Sequence, residues 1–169
     1  DLERQTWHNL LEKAASKCHK EQASNPAASL ESFTGLWDQL PSSMRRDERT
    51  IFNYTSLLAG LGDEAQAEVL LRKVLRNHWS DELINLYGRV ESQTPDEQLL
   101  LAEQWLKDRP NNAELLLALG RLSLRNELWG KAREYFETSL KLQRKRETLA
   151  ELSRLNAHMG HDTVSINLL

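Results

Sequence analysis

The chain has 169 residues, a net charge of −3 and a pI near 6.0, so it can bury a real core but is too acidic for a general nucleic-acid binder. Seven glycines and four prolines are too few for a loop-rich fold, and the dominance of Leu, Ala, Glu, Lys, Arg and Gln favours helix throughout. A single cysteine, Cys18, excludes an internal disulfide, and no run of about 18 apolar residues is present to span a membrane. The chain opens at Asp1 rather than Met and carries no signal-peptide pattern, which points to a piece of a longer polypeptide.

Residues 3–18 place Trp7, Leu10, Leu11, Ala14 and Ala15 on one helical face. Lys20–Pro26 is a polar linker. A second helix over 27–39 turns Leu30, Phe33, Leu36, Trp37 and Leu40 inward before Pro41 stops it. The next pair is cleaner. Ile51, Tyr54, Leu57 and Leu58 form one face, Leu61-Gly62-Asp63 makes the turn, and Ala67, Leu71, Val74 and Leu75 form the other. Gly62 supplies a left-handed cap and Asp63 an N-cap, with Gln66 placed to complete a capping box.

Ser80 caps the following helix, whose Tyr87-Gly88-Arg89-Val90 aligns with Leu119-Gly120-Arg121-Leu122 further on. Thr94-Pro95-Asp96-Glu97 restarts the chain with Thr as N-cap, Pro at the first helical position and Glu reaching back. Ala102, Trp105 and Leu106 line that helix, and Asp108–Asn112 links it to the most regular stretch, Asn111–Leu142. There Leu116, Leu119, Gly120 and Ser123 face Ala132, Phe136, Ser139 and Leu140, and the small Gly120 and Ala132 let the two backbones approach closely. Leu149, Leu152 and Leu155 make a further helix. Met159-Gly160-His161-Asp162 repeats the turn at Leu61-Gly62-Asp63, and the residues after it read as a partner helix cut short.

This order of residues resembles the tetratricopeptide (TPR) repeat, a helix–turn–helix unit of about 34 residues that buries its apolar face only by stacking on neighbours. The expected fold is all-α, a right-handed superhelix of about four TPR-like helical hairpins, the first irregular and the last truncated. One solenoid domain covers 1–169, with hairpins at 3–41, 48–77, 80–110 and 112–143, a terminal helix at 146–159 and a truncated partner at 162–169. Apolar Ile166, Leu168 and Leu169 at the truncated end predict a homodimer through that end.

The run Leu117–Arg133, with Trp105-Leu106 and Pro110 before it, resembles the HemY family of Gram-negative bacteria. So do Asp63-Glu64-Ala65, Leu70-Leu71-Arg72-Lys73 and Leu83 through Gly88. The likeness covers about residues 30–160 and is most specific over Arg121–Lys131. It implies an inner-membrane parent with two spanning helices ahead of a TPR domain on the cytoplasmic side, linked to late haem (porphyrin) biosynthesis. It is distinct from the flavin-dependent oxidase of the same name, since no G-x-G-x-x-G stretch follows a strand.

An arginine series carries the functional reading. Arg89 and Arg121 each follow a repeat glycine, and Arg154 follows Ser153 in the glycine's slot, so stacking sets the three on equivalent points of successive first-type helices. In TPR solenoids those helices line the concave groove. Arg125 and His158 extend the strip by a turn. A row of guanidinium groups grips carboxylates with paired hydrogen bonds, so the expected target is a C-terminal peptide, an acidic helix or porphyrin propionates. The resemblance implies a protein partner, such as a haem-pathway enzyme, docking through an acidic segment. Against this, Glu82, Glu114 and Glu147 also recur once per repeat and offer the arginines partners within the chain.

Other chemistry finds little support. His158 and His161 are split by Gly160, Cys18 and His19 point apart as neighbours on a helix, and no CxxCH haem motif exists, so neither a metal nor a cofactor is expected. Trp7, Trp37, Trp105 and Trp129 read as core or interhairpin packing, and Trp79 as the most exposed. No nucleophile and base share a suitable turn, so no catalytic residue is expected. The expected function is a non-enzymatic scaffold for haem-pathway partners. The alternatives are a peptide-binding TPR module unconnected with haem and, with no ligands to support it, a porphyrin carrier.

Overall fold

The structure is a computed structural model that describes residues 2–21 and 24–166, with side chains described through residue 160. Among the described residues the regular elements are all helical: α1 (Leu2–Glu21), α2 (Pro26–Gln39), a 3₁₀ turn (Met44–Arg46), α3 (Glu48–Gly60), α4 (Glu64–Asn77), α5 (Asp81–Tyr87), α6 (Pro95–Leu106), α7 (Ala113–Arg125), α8 (Trp129–Leu142) and α9 (Arg146–Ile166). The chain divides into two compact units, Asp1–Ser92 and Gln93–Leu169. The boundary falls between α5 and α6, inside the stretch expected to form the third hairpin.

In the N-terminal unit α1 packs on α2 and α3, α3 on α4 and α5, and α4 on α5. The inward face of α1 is turned from the one expected. His8, Leu11, Ala15 and Cys18 are buried, whereas Leu10 is exposed and Trp7 only half-buried. A buried polar chain fixes that rotation. His8 Nε2 lies 3.2 Å from Thr50 Oγ1, the Thr50 hydroxyl donates to Asp47 at 2.9 Å, and Arg4 pairs with the other Asp47 oxygen at 2.9 Å. Satisfying His8 in this way removes the cost of burying it, so the helix turns toward it rather than toward Trp7.

The turn between α3 and α4 forms as expected. Gly62 has φ +93°, and Asp63 accepts from the Gln66 N–H at 3.1 Å and its side-chain amide at 2.7 Å. Ser80 caps α5 by accepting from the Leu83 N–H at 3.2 Å. Thr94 departs from expectation: it makes no cap to the α6 backbone and instead donates its hydroxyl to the Glu97 carboxylate at 3.2 Å.

In the C-terminal unit α7 packs on α6 and α8, and α8 on α9. Ten consecutive residues of α7, Glu114–Ser123, are buried, the mark of a helix covered on every side. Phe136 of α8 lies over Gly120, where an added Cβ would come within 2.2 Å of its ring. Leu117, Ala132, Phe136 and Leu155 form a core cluster, with Leu152 and Met159 packed against it. Leu149, expected inside, is exposed, and Thr148 takes the buried place.

One correction concerns the end of the chain. The turn expected at Met159-Gly160-His161-Asp162 is absent, because α9 runs unbroken to Ile166. A helical glycine costs only about 1 kcal/mol, and Met159 is held by core packing, so Gly160 permits a turn without imposing one. The His161, Ile166, Leu168 and Leu169 side chains on which the metal and dimer arguments drew lie outside the described residues.

Candidate functional site

Arg121 does not stand open as its place in the arginine series suggests. Arg121 is only 9% exposed, and its guanidinium is committed: Nη2 lies 2.6 Å from Glu147 Oε1 and Nε 3.0 Å from Glu151 Oε1, on successive turns of α9. Arg154 meets the same Glu151 through its other oxygen at 2.9 Å, but its side chain is 72% exposed. Glu151 therefore brings Arg121 and Arg154 together. Glu114 is buried against Lys145. Arg125 is half-buried at the end of α7, and His158 is exposed and tilted against Trp129, with ring centroids 5.0 Å apart. Arg89, in the N-terminal unit, is exposed and donates to Asn85 at 2.8 Å. The aromatic ranking also changes: Trp129 is 37% exposed, whereas Trp79 is half-buried and bonded to Asp81 at 3.1 Å.

The open concave surface lies elsewhere. In the N-terminal unit Trp37 of α2 and the turn at Ser42, Arg45 and Arg46 face α4 across Ile51, Tyr54 and Leu58 of α3, enclosing a trough with two basins of about 540 and 400 Å³ that share Trp37, Leu70 and Lys73. Tyr54, which lines the smaller basin, stacks on Trp37 at 4.4 Å and on the buried Phe33 at 5.4 Å, ring centroid to centroid. Burial, with Asp38 and Asp63 adding to it, pushes the Tyr54 phenol up to about 12, so it stays neutral there. Along the α4 wall run Ala65, Gln66, Val69, Leu70, Lys73, Val74, Asn77 and His78. Their spacing by fours is one helical stripe, and it stands apart from the Ala67, Leu71 and Leu75 face that packs into the core. Val69 is 52% exposed.

The rim is cationic although the chain as a whole carries −3. Exposed Arg45, Arg46, Lys73 and His78 border the larger basin against one carboxylate, Glu48, which already accepts the Ser80 hydroxyl at 2.5 Å. Arg45 and Lys73 make no ion pair among the described residues, whereas Arg4 and Arg72 in the same unit do. Sequence reading missed this surface. Its signal was present in Val69 and Leu70, two apolar residues of α4 off the inner face. Among the described residues no three His, Cys, Asp or Glu side chains are grouped to hold a metal ion, and no helix is long and apolar enough to cross a membrane.

Solved structures resemble the fold of this chain. MamA 41-end from Desulfovibrio magneticus RS-1 superposes with a TM-score of 0.51 at 19% identity, over 96% of this chain and 91% of that one. A double mutant, MamA RS-1 ArsTM, gives 0.50 at 20% identity, over 96% and 90%. The fold is a TPR-like helical repeat. No protein-family model and no curated protein matches the chain. A repeat helix packs on neighbours on more than one side, as α3 does on α1, α4 and α5, which is why its Ile51, Tyr54 and Leu58 are apolar or aromatic and buried.

Proposed function

We propose that this chain is a non-enzymatic protein-interaction module that docks a partner in the trough between α2 and α4. The observation that carries the reading is the cationic rim over an apolar, aromatic floor. Lys73 stands at the junction of both basins and makes no ion pair among the described residues, in a chain whose overall charge is negative. Apolar contact area supplies the affinity of such a surface, and the unpaired charges supply orientation and encounter rate. The exposed guanidinium groups of Arg89 and Arg154 are secondary attachment points, each on its own unit. Arg121 is a strut inside the fold.

The finer reading follows from the likeness of Arg121–Lys131 and its surroundings to the HemY family. On it, the module is the cytoplasmic part of an inner-membrane parent and its partners are enzymes of haem biosynthesis. A photo-crosslinking amino acid at Val69, with exposed Glu12 of α1 as control, tests both levels in cells. An ultraviolet-dependent adduct at Val69 that contains a haem-pathway enzyme supports the finer reading. A reproducible adduct with an unrelated protein leaves a general TPR-like docking module. Equal labelling from both positions overturns the trough as the docking surface.

A further inference from the structure

We infer that the trough selects an acidic segment of its partner, about 20 Å long, that presents bulky apolar side chains flanked by carboxylates. This rests on the docking reading and adds the chemistry of the occupant. Length is the first argument. The lining stripe of α4 runs without a break from Ala65 to His78, and at about 1.5 Å per residue that is about 20 Å. A compact small molecule fills one basin. An object that engages both, across the shared Trp37, Leu70 and Lys73, is elongated, as a polypeptide segment is.

Charge is the second argument. Among the described residues Arg45 and Lys73 make no ion pair, and the Glu48 carboxylate beside them accepts the Ser80 hydroxyl, so bound carboxylates displace none of the ion pairs described. A basic or neutral segment would leave those cations facing it uncompensated, whereas an acidic one gains charge-assisted hydrogen bonds at the edge of a low-dielectric floor. The distribution of polarity supplies the third. Partly exposed Trp37, backed by the buried Tyr54, and Leu70 provide apolar contact at the centre, and the cations stand outside it, the arrangement that seats an apolar anchor inside a charged ring.

The test is selection of a displayed library of random peptides of about 14 residues on the intact chain. Enriched clones are then measured by fluorescence anisotropy against wild type, Lys73→Glu, Arg45→Glu and Arg76→Glu, the last an exposed control outside the trough. All variants are first confirmed as folded by their thermal melts. The expected clones pair Trp, Phe or Leu with Asp or Glu, and lose about tenfold or more in affinity to Lys73→Glu and Arg45→Glu but not to Arg76→Glu. Clones that bind the trough without acidic bias, or that ignore both charge reversals, overturn the inference and leave the docking reading intact. No binder from the library sinks the docking reading itself. Saturable quenching of tryptophan fluorescence by protoporphyrin that Lys73→Glu abolishes assigns the trough to a small amphiphilic dianion and overturns the inference as well.

Discussion

Arg121 Nη2 lies 2.6 Å from Glu147 Oε1, so the residue that sequence spacing marked as the centre of a binding strip is instead a strut between α7 and α9. The guanidinium fork spans two carboxylates one helical turn apart, a geometry that the single point charge of lysine does not reproduce.

Removing that strut has a measurable cost. Arg121→Met leaves Glu147 and Glu151 facing an apolar site and is expected to destabilise the chain by about 2–3 kcal/mol, less than for a fully buried pair because both glutamates reach water. Arg121→Lys recovers only part of the loss. Arg154→Ala, at an exposed position, changes stability by less than about 0.5 kcal/mol. Urea midpoints rank the three, and equal small losses would contradict the strut.

Glycine positions separate close packing from bare flexibility. Gly120→Ala drives a methyl into the Phe136 ring and is expected to cost about 1–3 kcal/mol. Gly35→Ala, in α2 with open space around it, is expected to gain about 0.5–1 kcal/mol by restricting the unfolded chain. Opposite shifts in melting temperature are the check.

The turn joining α7 to α8 stores strain. Glu127 holds φ +57° without the glycine that Gly62 supplies at the corresponding turn. Glu127→Gly relieves a left-handed conformation worth about 1 kcal/mol and raises the denaturation midpoint, whereas Gly62→Ala lowers it by a similar amount.

Alkaline pH is expected to destabilise the chain through its tyrosines. Tyr54, Tyr87 and Tyr135 are all three of them, and burial raises each, with the Glu68 carboxylate bonded to Tyr87 and Glu103 to Tyr135 adding to it. The folded state keeps protons that the unfolded chain releases near pH 10, so this stabilisation is complete below about pH 10 and falls as pH rises toward the Tyr54 value of about 12. Tyrosinate absorbance is expected to appear only with loss of helicity. Ionisation near pH 10 with helicity retained would contradict the buried placement.

Much of the fold is legible in local sequence because capping is local chemistry. Asp63, Ser80 and Asn112 each accept a backbone N–H three residues ahead, where their helices begin. The Gly120–Phe136 approach was also readable, from small residues on facing helices. Features set by distant partners were not. The face of α1 depends on Thr50 and Asp47, some forty residues away, and the path past Gly160 on core packing rather than on the glycine. Repeat spacing aligned Arg89, Arg121 and Arg154, yet burial, which spacing does not encode, separates Arg121 from the other two. The trough depends on how far α2 stands from α4 over α3, and Trp37 and Leu70, each readable as ordinary core, become its lining only in three dimensions.

Hydrogen–deuterium exchange with and without a bound partner segment tests the docking surface most directly. Protection concentrated in Trp37–Arg46 and along 65–78, and lost in Lys73→Glu, is the predicted result. Protection confined to Arg89, or to Arg121 through His158, with the α2 and α4 walls unchanged, would contradict it.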